Sequence, residues 1–254
     1  MKVRILGCGT STGVPRIGND WGSVDPNEPR NRRSRVSILV TAGDTNILVD
    51  TTPDMRAQLL EADVGDVDAV IWTHEHADHC HGIDDLRQIF HNRGSPVAGY
   101  AAERTLRSLT KRFDYVFEGK WGYPASAEPN LLAGSIEIGP IAIRSVEQPH
   151  GNITSTGLRF EMDGRSVGYS TDFNALTGDM ASMFEGLDLW IVDALRARPH
   201  PTHSHLERTL SYIERLKPAR AVLTHMDNSM DYRSLLSELP PHVEPGFDGM
   251  EIHL

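Results

Sequence analysis

Short apolar runs bounded by polar residues recur along the chain and predict buried strands. They cover residues 3–6, 35–41, 46–50, 68–72, 141–146, 166–170, 188–192 and 219–223. Between them, apolar residues spaced three or four positions apart predict helices at residues 53–62, 83–91, 102–112, 175–184 and 206–216. Strands and helices that mix in this way are typical of a layered α/β fold with sheets inside and helices outside.

The length of the chain, 254 residues, is enough to bury one large core. We therefore expect residues 1–254 to form a single domain. The two cysteines, Cys8 and Cys80, are far apart and lack C-x-x-C spacing, so neither a disulfide framework nor a zinc ribbon is indicated. A reducing cytoplasm suits such a chain, and no segment reaches the roughly 18 apolar residues of a membrane span.

The chain is acidic, with 35 Asp and Glu residues against 25 Lys and Arg and a formal net charge of −10. A surface of this sign repels long polyanions, which need many phosphate contacts to bind. A small anionic substrate drawn to a local metal field is easier to accommodate. We therefore expect a small-molecule partner and no long nucleic acid or membrane.

A cluster of metal-ligating side chains directly follows the apolar run at residues 68–72. Within six residues it contains His74, His76, Asp78 and His79, at the end of a predicted strand where layered α/β folds bind ligands. Imidazole and carboxylate are accepted by borderline and hard divalent ions, and one ion cannot take all four donors. In an extended loop, alternate side chains point the same way. His74 and His76 would then converge on one ion, with Asp78 and His79 turned toward a second. The alternative is a solvated polar loop that binds metal weakly.

Three further donors, His150, Asp172 and His225, follow later apolar or turn-bounded runs. With them, the H-x-H-x-D-H pattern resembles the signature of the metallo-β-lactamase superfamily. The resemblance covers nearly the whole chain and extends to the branch that contains phosphoribosyl cyclic-phosphate phosphodiesterases and tRNase Z. It implies a four-layer αββα sandwich with two divalent ions, zinc or manganese, iron being a third candidate. It assigns one ion to His74, His76 and His150 and the other to Asp78, His79 and His225, with Asp172 as the bridge.

The resemblance also implies a reaction. A hydroxide shared by the two ions attacks, and Asp78 and His203 are assigned catalytic roles, with His203 as the general acid that protonates the leaving group. His200 and His205 remain open as alternative acids, and all three histidines could instead cap the helix at residues 206–216 or face solvent.

The substrate implied by this resemblance is a small anionic phosphodiester, either a cyclic phosphate or a nucleotide-like compound. The 22-residue interval between His150 and Asp172 leaves no room for the long arm with which tRNase Z grips its substrate. A glyoxalase II-like thioester hydrolase, an RNA-processing nuclease and a metal-loaded binding protein without turnover remain alternatives. A homodimer is expected from the resemblance alone.

Several residues outside the ligand set are candidates for supporting roles. Asp50 and Asp193 end apolar runs, and each is placed to orient a ligating imidazole, although Asp50 could instead cap the next helix. Thr10, Ser11 and Thr12 lie in a Gly-rich loop that either presents N–H groups to a phosphate or is simply flexible. The basic stretch at residues 30–35 is either a solvated turn or an anion-steering element.

Overall fold

The computed structural model describes residues Met1–Leu254 and contains two mixed seven-stranded sheets. The first has the strand order β14-β1-β2-β3-β4-β5-β6 and the second the order β13-β12-β11-β10-β9-β8-β7. The strands are β1 Lys2–Gly7, β2 Ser37–Ala42, β3 Thr45–Val49, β4 Ala69–Trp72, β5 Val97–Ala101, β6 Ala127–Leu131, β7 Ser135–Ile138, β8 Ile141–His150, β9 Ile153–Met162, β10 Arg165–Ser170, β11 Leu189–Asp193, β12 Arg220–Thr224, β13 Val243–Pro245 and β14 Glu251–His253.

The helices lie in the connections between strands. They are α1 Met55–Glu61, α2 Ala77–Cys80, α3 Leu86–Arg93, α4 Glu103–Arg112, α5 Asp114–Glu118, α6 Gly178–Phe184, α7 Leu206–Leu216 and α8 Tyr232–Glu238, with 3₁₀ turns at Pro29–Asn31 and Ile83–Asp85. No helix combines the length and the apolar character needed to cross a membrane.

The larger core lies between the two sheets. It joins side chains such as Ile5 and Ile38 of the first sheet to Phe160 and Ile191 of the second, all of them fully buried. A second core, which includes Trp72 and Leu86, packs the first sheet against its helices. Apolar residues therefore face both sides of the central strands, which explains why their runs are continuous rather than alternating. The predicted αββα architecture is confirmed.

The predicted elements differ from the observed ones mainly at their ends. The strands predicted at residues 35–41 and 46–50 are present as β2 and β3, which pair antiparallel as a hairpin. The helix predicted at residues 175–184 begins only at Gly178, since the Thr177 side chain accepts a hydrogen bond from the Met180 N–H and caps it. The helix predicted at residues 83–91 starts as a 3₁₀ turn and ends at Gly94, whose φ of 76° stops it. The sequence patterns missed the strands β5, β6, β7, β9, β13 and β14 and the helices α2, α5 and α8.

Candidate metal centre

The predicted ligands meet at one edge of the sandwich, where several strands end. His74 follows β4, His150 ends β8, Asp172 follows β10 and His225 follows β12. The strands β10, β11 and β12 run parallel, so their carboxyl ends open on the same edge. Because the two sheets pack face to face, donors from both sheets reach a common space.

The segment that carries four of the donors is only partly extended. His74 Nε2 and His76 Nδ1 lie 3.0 Å apart, as expected for alternate side chains of an extended chain. Asp78 and His79 face a second set of donors, as predicted, but not from an extended loop, because Ala77–Cys80 form a helical turn that begins after His76. This turn directs Asp78 and His79 toward His225.

The first donor set consists of His74, His76 and His150. His150 Nε2 lies 3.3 Å from His76 Nδ1, which is itself 3.0 Å from His74 Nε2. One carboxylate oxygen of Asp172, Oδ2, faces this set at 3.8 Å from His74 Nε2 and 3.6 Å from His150 Nε2. His76 is exposed, so the first donor set opens to solvent on its side.

The second donor set consists of Asp78, His79 and His225. Asp78 Oδ2 lies 3.4 Å from His79 Nε2 and 3.6 Å from His225 Nε2. The other carboxylate oxygen of Asp172, Oδ1, lies 3.3 Å and 3.4 Å from the same two nitrogens. Asp172 therefore turns one oxygen toward each donor set, which is the arrangement of a bridging ligand.

The donor atoms fit divalent cations. Two donors held about 2.1 Å from one ion, at 90–110° to each other, lie about 3.0–3.4 Å apart, and most of the separations above are within a few tenths of an ångström of that range. His79 Nε2 and His225 Nε2 are buried without a hydrogen-bond partner, which is costly unless something else binds them. Burial lowers the pKa of His74 well below its usual range, so its imidazole is neutral and free to ligate. These clusters could hold metal, and His and Asp donors suit zinc, manganese and iron.

Three non-glycine residues at the centre adopt the left-handed region of the backbone. The φ angles are 66° for Asp50, 53° for Asp172 and 57° for His225. Such conformations cost roughly 1–3 kcal/mol each and persist where the surrounding structure enforces them, often at functional sites. The Asp172 carbonyl is held by Ser155, whose hydroxyl donates to it at 2.7 Å. Ser155 and its partner Gln148 support the backbone at Asp172, and sequence reasoning missed them because buried polar residues on β8 and β9 give no local signal.

Asp50 lies behind the second donor set. It is fully buried, accepts hydrogen bonds from the Thr73 N–H and hydroxyl at 2.7 and 2.8 Å, and faces His79 Nδ1 at 2.7 Å. A proton on Nδ1 leaves the Nε2 lone pair directed at the centre. The helix-capping alternative for Asp50 is wrong, because the residue at the N-cap of α1 is Asp54.

Asp193 lies behind His203. His203 Nδ1 is 3.0 Å from Asp193 Oδ2, and its Nε2 is 3.8 Å from Asp172 Oδ2. The His203 ring stacks on that of His225 at 4.8 Å between centroids. Burial alone would lower the pKa of His203, but the carboxylates of Asp193 and Asp172 outweigh it and raise the pKa to about 9. A protonated His203 can therefore stand beside the centre at neutral pH.

The two neighbouring histidines lack these contacts. His200 is partly exposed and its Nδ1 accepts a hydrogen bond from the Thr202 N–H at 3.3 Å. His205 stands at the N-cap of α7, but its side chain makes no capping bond and its buried Nδ1 has no partner. Of the three, His203 alone reaches Asp172.

The Gly-rich loop runs beside the second donor set. Gly9 pairs with Met226, the residue after His225, and the Thr10 N–H donates to the Met226 carbonyl at 3.2 Å. Thr10 is buried, whereas Ser11 and Thr12 are exposed. Their role in substrate binding stays a prediction.

The basic stretch at residues 30–35 lies partly inside the protein: Arg33 is buried, whereas Arg30 and Arg32 are exposed. Arg33 is 2% exposed and donates to the carbonyls of Asp227 and Met230, just after His225. Arg35 pairs with Asp54 at 3.0 Å, and Arg30 lies over the Tyr232 ring. Arg33 therefore fastens the long N-terminal loop to the segment after His225, and Arg35 fastens it to the start of α1. For the exposed Arg30 and Arg32, the solvated turn and anion steering stay predictions.

Comparisons with known proteins agree with this architecture. Residues 45–226 match the family model of the beta-lactamase superfamily domain. A crystal structure of a new diphosphatase from the PhnP family is 35% identical, with a TM-score of 0.90 over 99% of this chain and 96% of that one. Human tRNase Z, short form, is 20% identical and has a TM-score of 0.74 over 100% of this chain and 99% of that one, which shows a shared fold.

A curated relative, an octanoyltransferase of Porphyromonas gingivalis strain W83, is 31% identical over 99% of this chain. The chain spans about half of that protein, 51% of its length. Because the family model covers most of the chain and a PhnP-family structure of 35% identity matches nearly all of it, this protein belongs to the metallo-β-lactamase superfamily, in the branch of the PhnP family.

Proposed function

We propose that this protein is a dinuclear metal-dependent hydrolase that cleaves a P–O bond in a small phosphodiester, either a cyclic phosphate or a nucleotide-like compound. The observation that carries the proposal is the position of Asp172. Its two carboxylate oxygens face two separate donor sets, and His203 stands beside the same carboxylate. Diphosphatase activity in a relative of 35% identity supports P–O chemistry and adds substituted diphosphates to the candidate substrates.

Two divalent ions, when bound, would supply a nucleophile at neutral pH and polarise the phosphoryl group. The protein residues hold and orient them. Burial would raise the pKa of Asp78, but His79 and His225 hold it well below its usual range, so Asp78 stays ionised. Asp78 therefore serves catalysis as a ligand at the mouth of the site and not as a proton donor.

His203 supplies the proton. Asp193 binds Nδ1 and fixes the ring, which leaves Nε2–H directed into the space beside Asp172. A phosphate ester bond breaks more easily when its departing oxygen is protonated, and a positioned acid contributes about 10²–10⁴-fold. A thioester has a better leaving group and gains less from such an acid, so the arrangement favours the phosphoester.

The test is turnover of bis(p-nitrophenyl) phosphate, a 2′,3′-cyclic nucleotide, a nucleoside diphosphate sugar and a thioester by the metal-loaded protein. With the 2′,3′-cyclic nucleotide, whose departing alkoxide needs a proton, we expect turnover to fall about 10²–10⁴-fold in His203→Ala, while bound metal is unchanged. Cleavage of bis(p-nitrophenyl) phosphate should fall less, because p-nitrophenolate leaves without a proton. His205→Ala is the matched control, since it removes a neighbouring imidazole that does not touch the centre. Thioester cleavage alone would assign the glyoxalase II-like function, and bound metal with no turnover would assign a binding protein.

The cytoplasmic location, the homodimer and the lack of a long nucleic-acid partner stay predictions from the sequence.

A further inference from the structure

His76 differs from the other two histidines of the first donor set in how its ring is held. His74 Nδ1 lies 3.1 Å from the Thr73 hydroxyl, and His150 Nδ1 lies 2.8 Å from the Thr202 carbonyl. These partners fix the two rings from behind and leave Nε2 directed at the centre. His76 is exposed, directs Nδ1 at the centre, and bonds to no protein group through Nε2. The position of its ring therefore depends on its neighbours in the chain.

One of these neighbours, Glu75, is held to α4 through both oxygens of its carboxylate. Arg104 Nε donates to Oε1 at 2.9 Å, and the Thr105 hydroxyl donates to Oε2 at 3.3 Å. The Glu75 side chain is 15% exposed, and Thr105 is buried. A carboxylate that is bound at both oxygens and mostly shielded from water has little freedom to rotate.

The backbone of Glu75 is held to the same helix. Arg112, at the end of α4, donates from Nη1 to the Glu75 carbonyl and from Nη2 to His81 Nε2, each at 2.6 Å. His81 follows the helical turn that carries Asp78 and His79. Arg112 therefore joins both ends of the segment that carries the ligands to α4.

The extended backbone at His76 connects these contacts to the centre. His76 has a φ of −66° and a ψ of 153°. In an extended chain, successive side chains point to opposite sides. Because the Glu75 side chain is held on the side of α4, the His76 side chain is turned the other way, toward His74 and His150.

We propose that Glu75 is a positioning residue, whose contacts with α4 hold His76 where an ion of the first donor set requires it. The inference rests on the proposed dinuclear centre. Glu75 bonds to no ligand side chain and acts through the backbone that it shares with His76. In the second donor set, His79 is held by the Asp50 carboxylate instead. Loss of the charge on Glu75 should therefore loosen one ion and not the other.

The test is chelator titration of the zinc-loaded protein, which measures the affinity for each ion without turnover. His76→Ala removes a ligand and so identifies the step that belongs to the first donor set. In Glu75→Gln, which keeps the shape but cannot form an ion pair with Arg104, we expect that step to weaken roughly 10-fold. This is the lower end of the loss that follows removal of a partner bonded to the ligand itself. The other step should keep its wild-type affinity.

A double-mutant cycle ties this effect to the contact between Glu75 and Arg104. Arg104→Met should weaken the same step. The double variant Glu75→Gln/Arg104→Met should lose little more affinity than either single variant, because both changes remove one contact. Losses that multiply would show that the two residues act independently, and would overturn positioning through this ion pair.

Asp188→Asn is the matched control. Asp188 also accepts from one arginine and one hydroxyl, Arg165 at 2.8 Å and Ser166 at 3.1 Å, but it precedes β11, whose opposite end carries Asp193. Neither step should change in this variant. Equal weakening of both steps in Glu75→Gln, or the same change in Asp188→Asn, would show a general effect on the fold and overturn the inference. An unchanged first-set step in Glu75→Gln would overturn it as well.

Turnover of the phosphoesters separates this inference from the proposed function. If the wild-type protein cleaves none of them but Glu75→Gln weakens the step that His76→Ala identifies, the role of Glu75 stands and the proposed function falls. If they are cleaved but Glu75→Gln retains both ions as the wild-type protein does, the role of Glu75 falls and the proposed function stands.

Discussion

The two donor sets share Asp172 but are braced differently. In the second, His79 Nδ1 faces the buried carboxylate of Asp50 at 2.7 Å. In the first, His150 Nδ1 donates to the Thr202 carbonyl at 2.8 Å, and His76 is exposed. A carboxylate partner makes an imidazole a stronger ligand than a backbone carbonyl does. In the proposed dinuclear centre, the second donor set would therefore retain its ion more tightly, and the first is the one open to solvent.

Replacement of Asp172, the carboxylate that both donor sets share, should weaken metal binding at both sets. It should therefore have the largest effect on metal content and turnover. In Asp172→Asn the charge is lost, while asparagine tolerates the left-handed backbone at φ 53°. We expect metal content and turnover to fall together, and by more than the roughly 10–100-fold that an outer partner costs. Mass spectrometry of bound metal alongside turnover measures both. Full metal occupancy in this variant would show that Asp172 does not bridge.

Replacement of His203 should leave both donor sets intact while turnover falls. His203→Gln keeps a polar side chain beside Asp193 but cannot carry the proton, so kcat should drop about 10²–10⁴-fold. Metal content should equal that of the wild-type protein. A loss of metal instead would make His203 a ligand, which its 3.8 Å approach to Asp172 makes geometrically accessible.

Replacement of Asp50 should weaken one set only. Asp50→Asn keeps the shape and tolerates the positive φ but removes the charge that His79 faces. We expect chelator titration of the wild-type protein to remove the ions in two steps, and the tighter step to weaken about 10–100-fold in the variant. Equal weakening of both steps would contradict the difference in bracing.

The smallest expected effect is on the pH dependence of the free energy of unfolding of the metal-free protein, to which His203 contributes. The pKa of His203 is raised from 6.5 to about 9, because Asp193 and Asp172 overcome the effect of burial. A raised pKa means that the charged form stabilises the fold below pH 6.5 and that this contribution is lost as the pH rises through about 9. In urea unfolding with a chelator, the gap in unfolding free energy between the wild type and His203→Gln should therefore be larger at pH 6 than at pH 10. A gap in unfolding free energy that grows with pH would contradict the raised pKa of His203.

The ligands were predictable from the sequence because they cluster directly after short apolar or turn-bounded runs that mark the ends of strands. Their shared edge follows from the family architecture. The missed elements have no such local signal: β13 and β14 are three residues long and exist through pairing with β12 and β1. In β9, the polar Ser155 and Thr156 are buried beside the centre, where alternation predicts solvent.

The role of Arg33 and the packing of α4 could also not be predicted from the sequence. A run of arginines predicts a solvated surface, yet Arg33 is buried because carbonyls from nearly 200 residues away accept its protons. Likewise, the contact between Arg104 and Glu75 joins positions 29 residues apart and depends on how α4 packs. Long-range contacts of this kind are set by the fold and not by local pattern.

The central claim is that Asp172 lies between two ions. Its most direct test is a crystal structure of the manganese- or zinc-loaded protein with anomalous scattering measured at the metal edge. The account predicts two anomalous peaks about 3.5–4 Å apart, one on each side of the Asp172 carboxylate. A single peak, or a pair that Asp172 does not contact, would contradict it.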